Sequence, residues 1–269
     1  MTFTRKEIVA RLEQKTVAGI PLVGVPTQIG MTDEELEGRD VDLVIVRNAL
    51  SFQAAGSHEL AGMLCYGDAN RTVLELGADI LRQISQTPIL AGVCGTDPFR
   101  VIKRHLMELK QLGFSGIVND PTVGLFDGMF RAHLEETDLG YDLEVEMIGE
   151  AHQLDLFTCP FVFTESEARK MANAGADAII VHLGLVTQGP IGKMTALSPD
   201  ECASRIQAIC DAAKSVNAAL ITFCYGGPIA TADMARQMLS MVQGLDGFVA
   251  KDFAALASHG QQMEKDSTQ

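Results

Sequence analysis

The chain has 269 residues, 47% of them hydrophobic and 21% charged, which supplies one large core and excludes global disorder. Thirty-five acidic residues against 21 basic ones leave a formal net charge of −14, which excludes nucleic acid and anionic membrane surfaces as partners. A small anionic metabolite stays open, because a local group of cations can attract an anion that the whole molecule repels.

No stretch reaches the roughly 18 continuous apolar residues of a membrane span. The opening MTFTRKEIVARLEQK has neither the apolar core nor the small-residue cleavage site of a secretory signal. Six scattered cysteines without a C-x-x-C pair fit a reducing compartment, so the expected location is cytoplasmic. Residues 5–15 read as a helix, within an N-terminal segment 1–18 that covers the bottom of the fold. From there, short β-branched apolar runs alternate with amphipathic segments across residues 1–269, with no linker to divide them. The predicted strands are 20–25, 43–46, 89–93, 116–119, 156–161, 178–182, 220–223 and 247–250. Continuous rather than alternating apolar character marks them as buried parallel strands. The expected fold is therefore α/β, a single-domain (β/α)8 TIM barrel whose site lies at the C-terminal ends of the strands.

The first strand end offers Gln28 and the second Arg47-Asn48, followed by a long loop to Asn70 that could fold over the mouth. The third ends in Cys94, Thr96, Asp97 and Arg100. Asp97 also reads as the cap of a helix over 97–112 with Pro98 in its first turn, and Cys94 as a packing thiol. After the fourth come Asn119, Asp120, Pro121 and Thr122. Asn119 should face the mouth, where its amide can orient a carbonyl, although Asn-Asp-Pro is also an ordinary turn. Residues 143–154 fit both a strand and a helix. A helix is expected, because a strand there would make a ninth, and its carboxylates, Glu144 among them, read as a solvated face. A helix over 164–174 should open on a capping box of Thr164 and Glu167.

The sixth strand ends on His182, the candidate proton carrier, since an imidazole titrates near neutrality; a packed core histidine is the plainer reading. A Gly-rich loop follows and carries Thr187 and Lys193, with Lys193 able to meet an anion. The seventh strand leads into Tyr225, Gly226 and Gly227, where loops of this fold commonly hold a phosphate. No P-loop, G-x-G-x-x-G or strong metal-ligand spacing occurs. No cofactor is therefore required, while the carboxylates leave a divalent metal such as Mg2+ open. Met234, Met238, Met241 and Val242 suggest an apolar helix face in excess of one barrel layer, hence a homo-oligomer.

The stretches GMLCYGDAN (62–70), LAGVCGTDPFR (90–100), GFSGIVNDPTVGLFDGMFRAHLEETDLGYDLEVEMI (113–148) and AGADAIIVHLGLVTQGPIG (174–192) resemble the phosphoenolpyruvate hydrolase-like family. This family of TIM barrels, also regarded as a signal-transduction family, is similar to the C-terminal barrel of plant virus-resistance proteins. The resemblance spans about residues 19–248 and implies hydrolase or lyase chemistry on the C–C, C–O or P–C bond of a small oxo-acid. Two positions depart from the family pattern. Cys224-Tyr225 stands where the family reads Cys-His, and 248–254 replace a Ser-Ser-x-Glu-Arg segment. Two functions follow as expectations. One is an enzyme in which His182 moves protons, Asn119 and the Gly226-Gly227 amides hold an oxyanion, and Arg100 or Lys193 meets a carboxylate. The other is a metabolite-binding sensor or scaffold without turnover.

Overall fold

A computed structural model describes residues 3–28, 30–184, 197–227, 229, 231–251 and 256. The predicted strands form at the predicted places: β1 Leu22–Pro26, β2 Leu43–Val46, β3 Ile89–Gly92, β4 Gly116–Val118, β5 Phe157–Thr158, β6 Phe161–Val162, β7 Ala178–His182, β8 Ile221–Tyr225 and β9 Gly247–Val249. All pair in parallel, in the order β5-β4-β3-β2-β1-β9-β8-β7-β6. The two ends of this ladder are consecutive pieces of one run. Cys159 N–H donates to Ile117 O on one side, and Pro160 O accepts from Ile180 N–H on the other. Pro160 has no N–H to give a ladder, so the fifth barrel position breaks there into β5, which faces β4, and β6, which faces β7. The expectation of eight strands thus holds as eight positions with nine ladder segments, and the ring closes through the chain itself.

Before β1 lies α1 Arg5–Val17, and between the strands lie α2 Asp33–Glu37, α3 Ala49–Ala54, α4 Ala69–Gln83, α5 Ile102–Leu112, α6 Gly128–Glu136, α7 Asp142–Gln153, α8 Glu165–Asn173, α9 Pro199–Lys214 and α10 Ala232–Met241. Thr4 and Glu7 close a capping box that starts α1, and Ile8 and Leu12 on its inner face are fully buried. Three aspartates seal the same end of the barrel. Each stands immediately before a strand and accepts an N–H from a neighbouring one: Asp42 from Val23, Asp177 from Thr158 and Asp246 from Thr222, at 2.8–3.0 Å. Lys15 and Arg5 of α1 pair with Asp42 and Asp177 at 2.8 and 2.7 Å.

Several local expectations are corrected. The third βα helix begins at Ile102 rather than at Asp97, and its N-cap, Val101, has no side chain to offer. Asp97 instead accepts the Phe99 N–H within a turn. Thr164 caps α8 as expected, but the Glu167 carboxylate turns to the Phe163 N–H and to Arg131, so the capping box is not closed. Residues 142–153 are helical, as chosen, yet Glu144 is not on a solvated face: its exposure is 0%. The premise for self-association also changes, because Met238 and Val242 are buried within the protomer.

Candidate active site

The C-terminal ends of the strands carry two adjoining cavities. The first has an empty volume of about 480 Å³, its mouth included, and the second about 1160 Å³; Gly62, Met63 and Thr122 line both. β2 ends on Val46, which delivers Arg47 straight into the first. The long loop does fold over the mouth, as α3 and a 3-10 turn, Glu59–Met63, tied down by Asn48 Nδ2 donating to Gly62 O at 2.9 Å. That turn returns Glu59 to Arg47 at 3.1 Å, while Asp120, beyond β4, approaches the other arm of the guanidinium at 3.6 Å. The guanidinium sits 5.8 Å from the centre of the Tyr225 ring. Burial works against its charge, but Tyr225, Asp120 and Glu59 outweigh it and raise its pKa. Asp120 is pushed up by burial against the pull of Arg47, and Tyr225 likewise. The Tyr225 hydroxyl and Asn48 Oδ1 are buried without a hydrogen-bond partner among the described residues.

His182 lines the same cavity, packed between Phe161, Phe163 and Tyr225 with ring centres 4.9–5.4 Å away. Its Nδ1 accepts the Gly184 N–H at 3.0 Å, which leaves the proton of the neutral ring on Nε2. Burial, then Arg47 and Arg205, lower its pKa to about 3. The expected imidazole titrating near neutrality is corrected: at pH 7 this ring is a neutral N–H donor.

Asn119 is corrected too. It directly follows β4 at the mouth end of the barrel but turns inward, bridging Phe161 through Oδ1 (2.6 Å) and Nδ2 (3.2 Å), with Nδ2 also donating to Glu144 at 2.5 Å. Glu144 further accepts from the Thr122 hydroxyl and the Val123 N–H, both at 2.7 Å, and so fixes the turn that holds Asp120 and Thr122 at the cavity. Its carboxyl is pushed up to about 7, by burial foremost and against those donors. The Gly-Gly turn is not an open phosphate cradle. Gly227 N–H donates to Gly184 O, and a Cβ on Gly226 would lie 2.2 Å from that same oxygen, so the two strand ends meet there backbone to backbone.

The remaining candidates are elsewhere. Cys94 and Asp97 line the second cavity, bridged by Asn70, and burial raises the Cys94 thiol. Arg100 pairs with Asp68 at 2.7 Å and Asp97 at 3.1 Å, and Gln28 is half-buried; neither lines the two cavities. Thr187 and Lys193 lie outside the described residues. Asp120 and Glu59 are central and were not singled out from the sequence. The strand-end position of Asp120 could have marked it, whereas nothing local marks Glu59. For a Mg2+ the donors do not fit. Asp120 and Glu59 are already turned to a guanidinium, and no group of three metal-ligating side chains is gathered among the described residues.

The phosphoenolpyruvate hydrolase-like family profile matches residues 7–255. The chain belongs to that family. Two tomato (Solanum lycopersicum) proteins are similar to it: the ToMV resistance protein Tm-1(GCR237), 43% identical over 91% of this chain, and the ToMV susceptible protein tm-1(GCR26), 44% identical over 90%. A putative transcriptional regulatory protein of Sinorhizobium fredii is 29% identical over 91% of the chain and 40% of its own length. The chain spans about a third (32%) of the length of the two tomato relatives. Among solved structures, a Streptomyces platensis phosphoenolpyruvate phosphomutase superposes with a TM-score of 0.60 at 12% identity, covering 96% of this chain and 85% of its own. A phosphonopyruvate hydrolase in complex with oxalate and Mg2+ gives 0.57 at 13%, covering 97% and 85%. At such identities the likeness is one of fold, the TIM-barrel fold expected from the sequence.

Proposed function

We propose that this chain is an enzyme that cleaves a C–C, C–O or P–C bond of a small oxo-acid in the cavity formed by Arg47, Asp120, His182 and Tyr225. The observation that carries the reading is convergence. Four strand ends deliver a guanidinium, a buried carboxyl, a neutral imidazole and an unpartnered hydroxyl to one pocket. Arg47 holds the substrate carboxylate. Cleavage of a C–C or P–C bond to the carbon beside the oxo group leaves its electron pair on that carbon, delocalised as an enolate onto the oxo oxygen, while the other fragment leaves as a carbonyl compound or, for phosphorus, is taken up by water as phosphate. The hydrogen-bond donors at the oxo oxygen are the Tyr225 hydroxyl and His182 Nε2–H. Asp120, held partly towards its neutral form by burial, is the group that moves a proton to or from the adjacent carbon. This replaces the donors expected from sequence, because Asn119 and the Gly227 amide are engaged within the fold. The fold supports the reading, since the phosphonopyruvate hydrolase and a 2,3-dimethylmalate lyase share it.

The second reading, a metabolite sensor, is favoured by the relatives' names, which speak of virus resistance and transcriptional regulation rather than an activity. Incubating the purified chain with a panel of oxo-acids, with and without Mg2+, and following the mixture by mass spectrometry separates them. Consumption of an acid that Arg47→Lys lowers at least about a hundredfold supports the enzyme. An acid that raises the melting temperature but is never consumed sinks it in favour of the sensor.

A further inference from the structure

The charge balance of the first cavity bears on what can enter it. Its only described lining cation is Arg47, and that guanidinium already faces two carboxyls, Glu59 and Asp120. His182 adds no charge at neutral pH. The amides that barrels of this kind turn on a phosphate are committed here: Gly227 N–H to Gly184 O and Ile229 N–H to Gly226 O. A phosphate group brings about −1.5 to −2 charges at pH 7 besides the carboxylate of the same molecule, and nothing in the described lining offsets that excess. A single carboxylate needs only one arm of Arg47.

The unpartnered atoms describe the rest of the ligand. The Tyr225 hydroxyl can donate to an oxo oxygen. Asn48 Oδ1, an amide oxygen, can only accept, and the bond from Nδ2 to Gly62 O fixes the orientation of the amide; Oδ1 therefore calls for a donor. An oxygen left buried without a partner is costly, so the occupant that satisfies both is selected over one that satisfies neither.

We infer that this cavity takes a small, singly charged acid bearing both an oxo and a hydroxyl group and rejects phosphorylated and phosphonate acids, which narrows the proposed cleavage to a C–C or C–O bond. The inference deepens the proposed function and rests on the same site, but it concerns binding and is tested without turnover. Titration calorimetry of the full chain with hydroxypyruvate, pyruvate, phosphoenolpyruvate and inorganic phosphate gives the ranking. Hydroxypyruvate should bind most tightly, pyruvate about fivefold more weakly, and the two phosphates at least about tenfold more weakly, the losses expected for one missing hydrogen bond and for an unmatched charge. Tyr225→Phe should weaken hydroxypyruvate by about five- to tenfold, with the melting temperature of the variant measured alongside to show that it is folded. Phosphoenolpyruvate or phosphate binding as tightly as hydroxypyruvate overturns the inference, as does equal affinity for pyruvate and hydroxypyruvate, an unchanged affinity in folded Tyr225→Phe, or no binding by any of the four. Turnover of a phosphorylated acid would leave the enzyme reading intact and remove this one; tight hydroxypyruvate binding without turnover would do the reverse.

Discussion

Burial displaces Glu144 and His182 in opposite senses. Glu144 is raised to about 7, so between its ordinary 4.5 and 7 the folded chain binds a proton that the unfolded chain does not. Its contribution to stability is present below about pH 4.5 and is lost as pH rises through about 7. His182, lowered to about 3, contributes above about 6.5 and loses that contribution as pH falls towards 3. Glu144→Gln should cost about 1–3 kcal/mol, because an amide cannot accept on both sides from Thr122 and Val123. The stability gap between wild type and this variant should narrow as pH rises from 5 to 8 in denaturant melts; a gap that stays constant over that range would mean the buried carboxyl is already ionised in the fold. For His182→Asn, lost ring packing should cost about 1–3 kcal/mol, and turnover per folded molecule should still fall at least about a hundredfold. Retained turnover per folded molecule would leave His182 a packing residue. His182 and Arg47 were legible in the sequence because each directly follows a strand-like run. Glu144 was not: a carboxylate in an acidic amphipathic segment looks solvated until its three donors, which come from residues 119–123, are placed around it. The direction of Asn119 was equally hidden, since strand parity gives a side and not a partner.

At the level of elements, continuous apolar runs made the strands readable, because a parallel strand covered on both faces has no other composition. The break at 159–160 had one mark, Pro160, set in a largely apolar run from 156 to 163, but nothing in that run tells which neighbour each half pairs with. The three aspartates at the strand starts were not readable, since they look like turn residues and act as amide acceptors across the sheet edge. They predict a separation of stability from function. Asp177→Ala strands the Thr158 N–H, removes one partner of the Thr158 hydroxyl and frees Arg5 of α1. It should lower stability by about 1–3 kcal/mol, roughly 2–4 °C in Tm per kcal/mol at this size. Ligand affinity and turnover of the folded fraction should not change, because this face of a barrel is remote from the mouth. A fall in affinity with unchanged Tm would contradict that division.

For the whole molecule, the acidic excess that argued against polyanionic partners also acts on the fold. A net charge of −14 on the chain repels itself, and unfolding relieves the repulsion by spreading the charges apart. The ion pairs that oppose this effect differ in their sensitivity to salt. Those on exposed helix faces, such as Arg71–Glu75 and Arg82–Asp79, contribute little. Those that shape the barrel, Arg47 with Glu59 and Lys15 with Asp42, are shielded from solvent and screened less. Added salt therefore removes more repulsion than attraction. Between about 0.01 M and 0.1 M sodium chloride, where the screening length shortens from about 30 to about 10 Å, the melting temperature at pH 7 should rise. Sodium chloride is the right salt for this, since sulfate would add its own exclusion effect. If the melting temperature instead falls across that range, attractive pairs dominate the electrostatics of the fold, and the self-repulsion ascribed to the acidic surface is too small to matter.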